Sequence, residues 1–223
     1  AVLDESYGIV RMFAADGTVR SSFGGLGAGP GEFRRPVAVE HENGTVLVLD
    51  AGRKVERYAV ADSTWEPGTP VRIPIDGQDI CMTERGLLVV GTNFIDQAEP
   101  GTPADPRALH LISPEAEEVA ASFSAPYRHS AIGPLFSLTR GRLACNREHG
   151  LVWIAYSILH EVHALNAGGD LRWIVRLTDE SYPDILEHPD GRFGEDPQHA
   201  GASDRITHVS LLGSSLLAVQ VTS

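Results

Sequence analysis

An all-β chain of repeated four-stranded antiparallel units is the fold the sequence predicts, and three observations predict it. An apolar stretch, a polar turn ending in Gly and a second, more apolar stretch recur along the chain. The turn glycines Gly44, Gly86, Gly150 and Gly213 follow one another at 42, 64 and 63 residues. Helical 3.6-residue periodicity is nowhere sustained.

Taken in order, Val37–Gly44 leads into Thr45–Asp50, and Ile80–Gly86 leads into Leu87–Gly91. Leu143–Gly150 leads into Leu151–Ala155, and His208–Gly213 leads into Ser214–Val219. Each reads as a strand, a tight turn whose Gly permits a positive φ, and a second strand. The second strands are almost continuously apolar, as strands covered on both faces are. A second hairpin completes each unit. Val55–Val60 pairs with Val71–Pro74, Leu109–Ile112 with Val119–Phe123, and Val162–Asp170 turns into Leu171–Leu177. Near the start, Ile9–Phe13 turns at Asp16-Gly17 into Thr18–Phe23.

A four-stranded unit repeating at ~40–45 residues is the sequence signature of a β-propeller blade. The longer spacings come from two polar insertions, Asn93 to Arg107 and Asp179 to Asp204, which read as exposed loops. The repeat resumes beyond each of them. The expectation is a single propeller unit over residues 1–223, with blade boundaries near 1–35, 36–76, 77–125, 126–204 and 205–223.

Composition narrows the function classes. The chain is 42% hydrophobic and 22% charged, enough to bury a core. Its formal net charge is −12, from 18 Lys+Arg against 30 Asp+Glu, which disfavours nucleic acid or an anionic membrane as partner. No apolar run reaches the ~18 residues of a membrane span. Two cysteines exclude a disulfide-stapled scaffold and a Cys-rich zinc module.

The segment Phe23-Gly24-Gly25-Leu26-Gly27-Ala28-Gly29-Pro30-Gly31-Glu32-Phe33-Arg34-Arg35-Pro36 closely resembles the blade junction of NHL-repeat and bacterial six-bladed β-propeller proteins. Val48–Tyr58 looks like the second and third strands of that family, and Leu3–Phe13 repeats the pattern. The resemblance is specific over about residues 1–60 and elsewhere rests on strand pattern. It implies a glycine-rich turn out of the outer strand, Phe33 packed between blades, and Pro36 opening the next inner strand. It implies a ring of six blades, of which this chain would hold about four blades' worth. It also implies a bacterial protein with a periplasmic or extracellular place.

The candidate chemistry is sparse. His160-Glu161-Val162-His163 superficially suggests a metal box, but a spacing of three on a strand puts the two histidines on opposite faces. His188, Asp190, Glu195, Asp196 and His199 share the second insertion and offer metal ligands, as any polar loop does by chance. No nucleophile elbow, P-loop or dinucleotide fingerprint is present, and no metal or cofactor is expected. Cys81 and Cys145 each precede a turn glycine by five residues, where the preceding unit has Val39, so they read as small buried hydrophobes. Radial splay of neighbouring blades predicts that they stay unbonded.

Counting back eight or nine residues from each turn glycine gives Arg35, Gln78, Arg142 and Arg205. In a propeller these positions sit where the chain enters each blade, near one mouth of the central channel. Converging arginines in an acidic molecule suit a small anionic ligand or a protein partner, because the guanidinium offers a planar fork of donors. The alternative is arginines paired with nearby Glu32, Glu148 and Asp204. The sequence therefore predicts a non-catalytic binding scaffold, with a propeller hydrolase or lyase holding a channel metal as the other reading.

Overall fold

The structure, a computed structural model, describes residues 1–42, 44–50, 53–61, 64–93, 107–113, 117–124, 138–177, 185–187, 193–195, 205–212 and 216–222. The elements with described bounds are all β-strands. Strands β1 (Val2–Asp4), β2 (Ile9–Phe13) and β3 (Val19–Gly24) form a three-stranded sheet. Next, β4 (Pro36–Glu42), β5 (Thr45–Asp50), β6 (Lys54–Ala61) and β7 (Thr64–Pro67) pair in sequence order, and β8 (Val71–Arg72) also pairs with β6. Two further four-stranded sheets follow: β9 (Ile75–Thr83) to β10 (Gly86–Asn93), β11 (Leu109–Ser113) and β12 (Glu118–Phe123), then β13 (Gly141–Asn146) to β14 (Leu151–Tyr156), β15 (Glu161–Asn166) and β16 (Leu171–Arg176). The hairpin of β17 (Ile185–Glu187) and β18 (Phe193–Glu195) lies within the second insertion. Finally β19 (Arg205–Leu212) pairs with β20 (Leu216–Thr222).

These sheets are the blades of a β-propeller. Strand pairing within each is antiparallel, and the innermost strands stand side by side: β4 beside β9, β9 beside β13, and β13 beside β19. Gly44, Gly86 and Gly150 sit at the equivalent inner turns with φ of 76°, 130° and 58°, a region that side chains disfavour. Gly213 lies outside the described residues.

The core is divided among the seams between blades. On β10, Leu87 and Val89 belong to a cluster shared with β4–β6, while Leu88 and Val90 belong to one shared with β13–β15. On β14 the same split occurs: Val152, Ile154 and Tyr156 face back, and Trp153 and Ala155 face forward to Ile206 and Val209. Successive residues of a strand point to opposite faces. A second strand must therefore be apolar throughout, because each of its faces feeds a different seam.

The glycine-rich junction closes the first seam. Phe33 is fully buried against Val10, Val46, Val48 and Tyr58, and its backbone bonds with Gly25 and Gly27 fold the loop back on itself. A Cβ on Gly24, which has φ of 97°, would lie 2.5 Å from the Gly8 carbonyl oxygen and 2.6 Å from the Phe33 ring. Only Gly fits there. Phe23, Tyr58 and Trp65 stack beside it, with ring centroids 4.5 Å and 5.2 Å from Phe23.

Two expectations are corrected. In the second blade Thr64–Pro67, not expected from the sequence, takes most of the outer side of β6, and only Val71–Arg72 of the expected Val71–Pro74 pairs there. Trp65 docks on the aromatic seam and donates its Nε1–H to Ser21 Oγ at 2.8 Å. Pro70 and Pro74 bracket Val71–Arg72 and confine β8 to a two-residue pairing with Lys54 and Val55.

The second correction is chemical. Cys81 and Cys145 are joined by a disulfide, with Cα atoms 6.2 Å apart. They do occupy equivalent positions, opposite Leu88 and Val152 on the second strands. Blades splay toward the rim, however, and these residues lie on the inner strands, where the blades converge. Equivalence places them level across the seam, within the Cα separation a bridge needs.

The bridge closes a loop of 64 residues, so chain entropy assigns it ~4 kcal/mol of stability. Peptide mapping without reductant should recover the Cys81–Cys145 pair. Replacing both cysteines with Ser should lower the unfolding free energy by roughly 3–5 kcal/mol in denaturant titrations. Two free thiols, or an unchanged midpoint, would contradict the seam geometry.

Candidate functional site

Residues at or just before the start of successive inner strands line one cavity. Arg35, Gln78 and Arg142 line a single cavity of about 530 Å³, together with Arg140, Glu5 and Asp76. Arg205 is the first residue of β19, opposite Thr222, and its neighbours Ile206 and Thr207 line the same cavity. The side chain of Arg205 lies outside the described atoms.

The mouth residues differ in what they are free to do. Arg35 is exposed and forms no ion pair among the described residues, while its backbone N–H donates to the buried Asp50 Oδ1 at 2.7 Å. Arg142 is held. It donates Nε–H to the Thr207 carbonyl at 3.1 Å and Nη1–H to the Gln78 carbonyl at 3.2 Å, tying three inner strands together. Those acceptors are carbonyls, not the nearby Glu148 considered from sequence. Gln78 completes the seam by accepting the Gly141 N–H at 3.3 Å. Arg140 was missed by sequence reasoning, though its place just before β13 parallels Arg35 before β4.

A second cavity, of about 560 Å³, is lined by Glu40, Asp79, the disulfide, Arg142 and His208. Asp79 is a bracket between blades: Oδ2 accepts the Leu143 N–H at 2.9 Å and Oδ1 accepts the Ile80 N–H at 2.9 Å. Burial still pushes its carboxyl above the usual range, against those bonds and the nearby Arg142. Glu40, on the neighbouring inner strand, is pushed up to about 7, chiefly by burial and then by the charges of Asp79 and Glu42.

The histidine readings resolve differently from one another. His160 stands outside β15, in a turn with φ of 52°, whereas His163 lies within the strand. The pairing that matters is Glu161 with His163, two residues apart and on one face. His163 Nε2 lies 2.9 Å from Glu161 Oε2, and Ser124 and Tyr156 join them from the same seam. A Glu-x-His pair on a strand was the available signal. His188, Asp190, Asp196 and His199 lie outside the described residues, and Glu195 is described only as part of β18. Among the described residues no group of three or more His, Cys, Asp or Glu could hold a metal ion, and no helix is long and apolar enough to cross a membrane.

No family model and no curated protein matches the sequence. Among solved structures, the chain is similar to a protein of Bacteroides fragilis NCTC 9343 described as exported, with a TM-score of 0.53 at 14% identity. That match covers 76% of this chain and 45% of the other, so this chain spans under half of that protein's length. It is also similar to Raptor of Chaetomium thermophilum, with a TM-score of 0.52 at 8% identity over 96% of this chain and 17% of the other. The WD40 domain of Neurospora crassa Pan2 matches with a TM-score of 0.46 at 7% identity, over 83% of this chain and 43% of the other. At such identities the likeness is one of fold.

The raised Glu40 carboxyl has a measurable consequence. Its folded value of about 7 exceeds the 4.5 of an ordinary Glu, so the folded chain holds the proton more tightly. That contribution is full below pH ~4.5 and is lost as pH rises through ~7. Glu40→Gln should therefore gain roughly 2–3 kcal/mol relative to the parent on going from pH 4.5 to pH 8, read by denaturant titration at both values. A parallel pH dependence of the two proteins would show that Glu40 titrates normally.

Proposed function

We propose that this chain is a ligand- or protein-binding propeller of the NHL-like, six-bladed kind, and that its channel mouth receives a small anion or an acidic group of a protein partner. The observation that carries this reading is one cavity lined by Arg35, Arg140 and Arg142 in a chain of net charge −12. A concave site with a few convergent polar groups is where binding energy concentrates. Glu5 and Asp76 on the same wall favour a ligand that carries hydrogen-bond donors beside its negative group.

Arg35 and Arg142 play different parts. Arg35 is exposed at the mouth and supplies charge to the ligand. Arg142 has spent two of its five N–H donors on carbonyls, so it fixes the shape of the mouth as well as its potential. The NHL-like assignment is supported by the Gly24–Pro36 junction with Phe33 sealed between blades. A periplasmic or extracellular place is supported by the disulfide, which persists in oxidising compartments, and by likeness to a protein described as exported.

Calorimetry with inorganic phosphate and citrate tests the reading. Binding should weaken on Arg35→Ala by roughly 1.5–3 kcal/mol, the worth of a charged hydrogen bond, with thermal stability unchanged. Arg142→Ala should lose binding and stability together. Equal affinity of the parent and Arg35→Ala, or no anion binding at low salt, would contradict it.

A further inference from the structure

A chain of polar side chains crosses the seam between the third and fourth sheets in sequence order, apart from the channel. Tyr156 on β14, Glu161 on β15 and Arg176 on β16 stand opposite one another in register, so their side chains share one face of that blade. His163 joins that face two residues along. Ser124, which follows β12 of the preceding blade, reaches them from across the seam. Ser124 Oγ lies 2.7 Å from Tyr156 Oη and 3.5 Å from His163 Nδ1. His163 Nε2 lies 2.9 Å from Glu161 Oε2, and Glu161 Oε1 accepts Arg176 Nε–H at 3.0 Å and a second bond from Nη2.

The proton positions follow from which groups can donate. Burial disfavours the Glu161 carboxylate, but the hydrogen bonds from His163 and Arg176 outweigh it and hold its carboxyl below the ordinary range. An ionised carboxylate only accepts, so His163 must carry its proton on Nε2. In the neutral ring Nδ1 is then an acceptor, and it faces Ser124. Burial keeps the Tyr156 phenol protonated, so Tyr156 can donate to Ser124 Oγ. The Ser124 hydroxyl is left to donate to His163. A hydroxyl, an imidazole base and a carboxylate that orients the base are the parts of an activated nucleophile.

Two further observations set Ser124 apart from an ordinary seam residue. Its φ is 53°, the left-handed region that a non-Gly residue seldom adopts, and such strain concentrates at functional positions. Its carbonyl accepts the Ala108 N–H at 2.9 Å, which holds that conformation, yet the residue is only half-buried.

We propose that Ser124 is a catalytic nucleophile for acyl transfer from carboxylic esters, with His163 as its general base and Glu161 as the residue that positions His163. In the first step Ser124 Oγ bonds to the acyl carbon and its proton passes to His163 Nδ1. The ester C–O bond breaks, and His163 returns the proton to the departing alkoxide. Water, deprotonated by His163, then attacks the acyl-serine, releases the carboxylic acid and regenerates the hydroxyl. Water is the only co-reactant, so the sequence balances.

An organophosphorus probe, a fluorophosphonate, tests this on the folded chain, with peptide mapping of the adduct. Ser124 should be the labelled residue. Ser124→Gly, which retains the left-handed backbone without strain, should abolish the adduct and leave the thermal midpoint within a few degrees. His163→Gln should slow labelling about 100-fold, the scale of general-base assistance. Glu161→Gln should slow it less, and p-nitrophenyl acetate hydrolysis should fall in the same order. Absence of an adduct on Ser124 at saturating probe, or equal labelling of the parent and His163→Gln, overturns the proposal.

Discussion

Everything in this structure depends on strands that are buried on both faces. Once β5, β10 and β14 must each feed two seams, their residues cannot alternate between apolar and polar. Leu47 and Leu49 face one seam while Val46 and Val48 face another, and all four are buried. Burial of such side chains stabilises by ~1.5–3 kcal/mol each. A polar substitution at any of them would expose a seam, not a surface. A propeller meets that requirement, because blades stacked face to face around an axis cover both apolar faces of each sheet.

Polar groups then reinforce the seams where backbones crowd together. Near the axis Asp79 brackets β9 to β13, Arg142 spans from Gln78 to Thr207, and the disulfide joins the same two strands one step further along. These contacts tie β9, β13 and β19 to one another. Arg35, Arg140 and Arg142 line the cavity beside these contacts.

Much of the fold was legible because its signals are local. Turn glycines at Gly44, Gly86 and Gly150 require positive φ, and continuous apolar second strands require two covered faces. Convergence of Arg35, Gln78 and Arg142 on one cavity followed from counting back along equivalent strands. What escaped was geometry across the seams. The Cys81–Cys145 bridge needed the spacing of inner strands at the axis, which no single-blade pattern contains. Only Val71–Arg72 of the expected Val71–Pro74 strand pairs with β6, because Thr64–Pro67 takes the rest of that edge with Trp65 docked in the aromatic seam. Glu161 and His163 were visible as neighbours on a strand; Ser124 joins them only because β12 ends at the next blade.

The most direct test of the seam account is a pair of double-mutant cycles read by denaturant titration. Val90 and Ile154 belong to one seam, whereas Val89, adjacent in sequence, faces the other way. Alanine substitutions of Val90 with Ile154 should couple by ~0.5–1.5 kcal/mol, and those of Val89 with Ile154 should add within ~0.3–0.5 kcal/mol. Equal coupling in the two cycles would contradict a core divided by strand face.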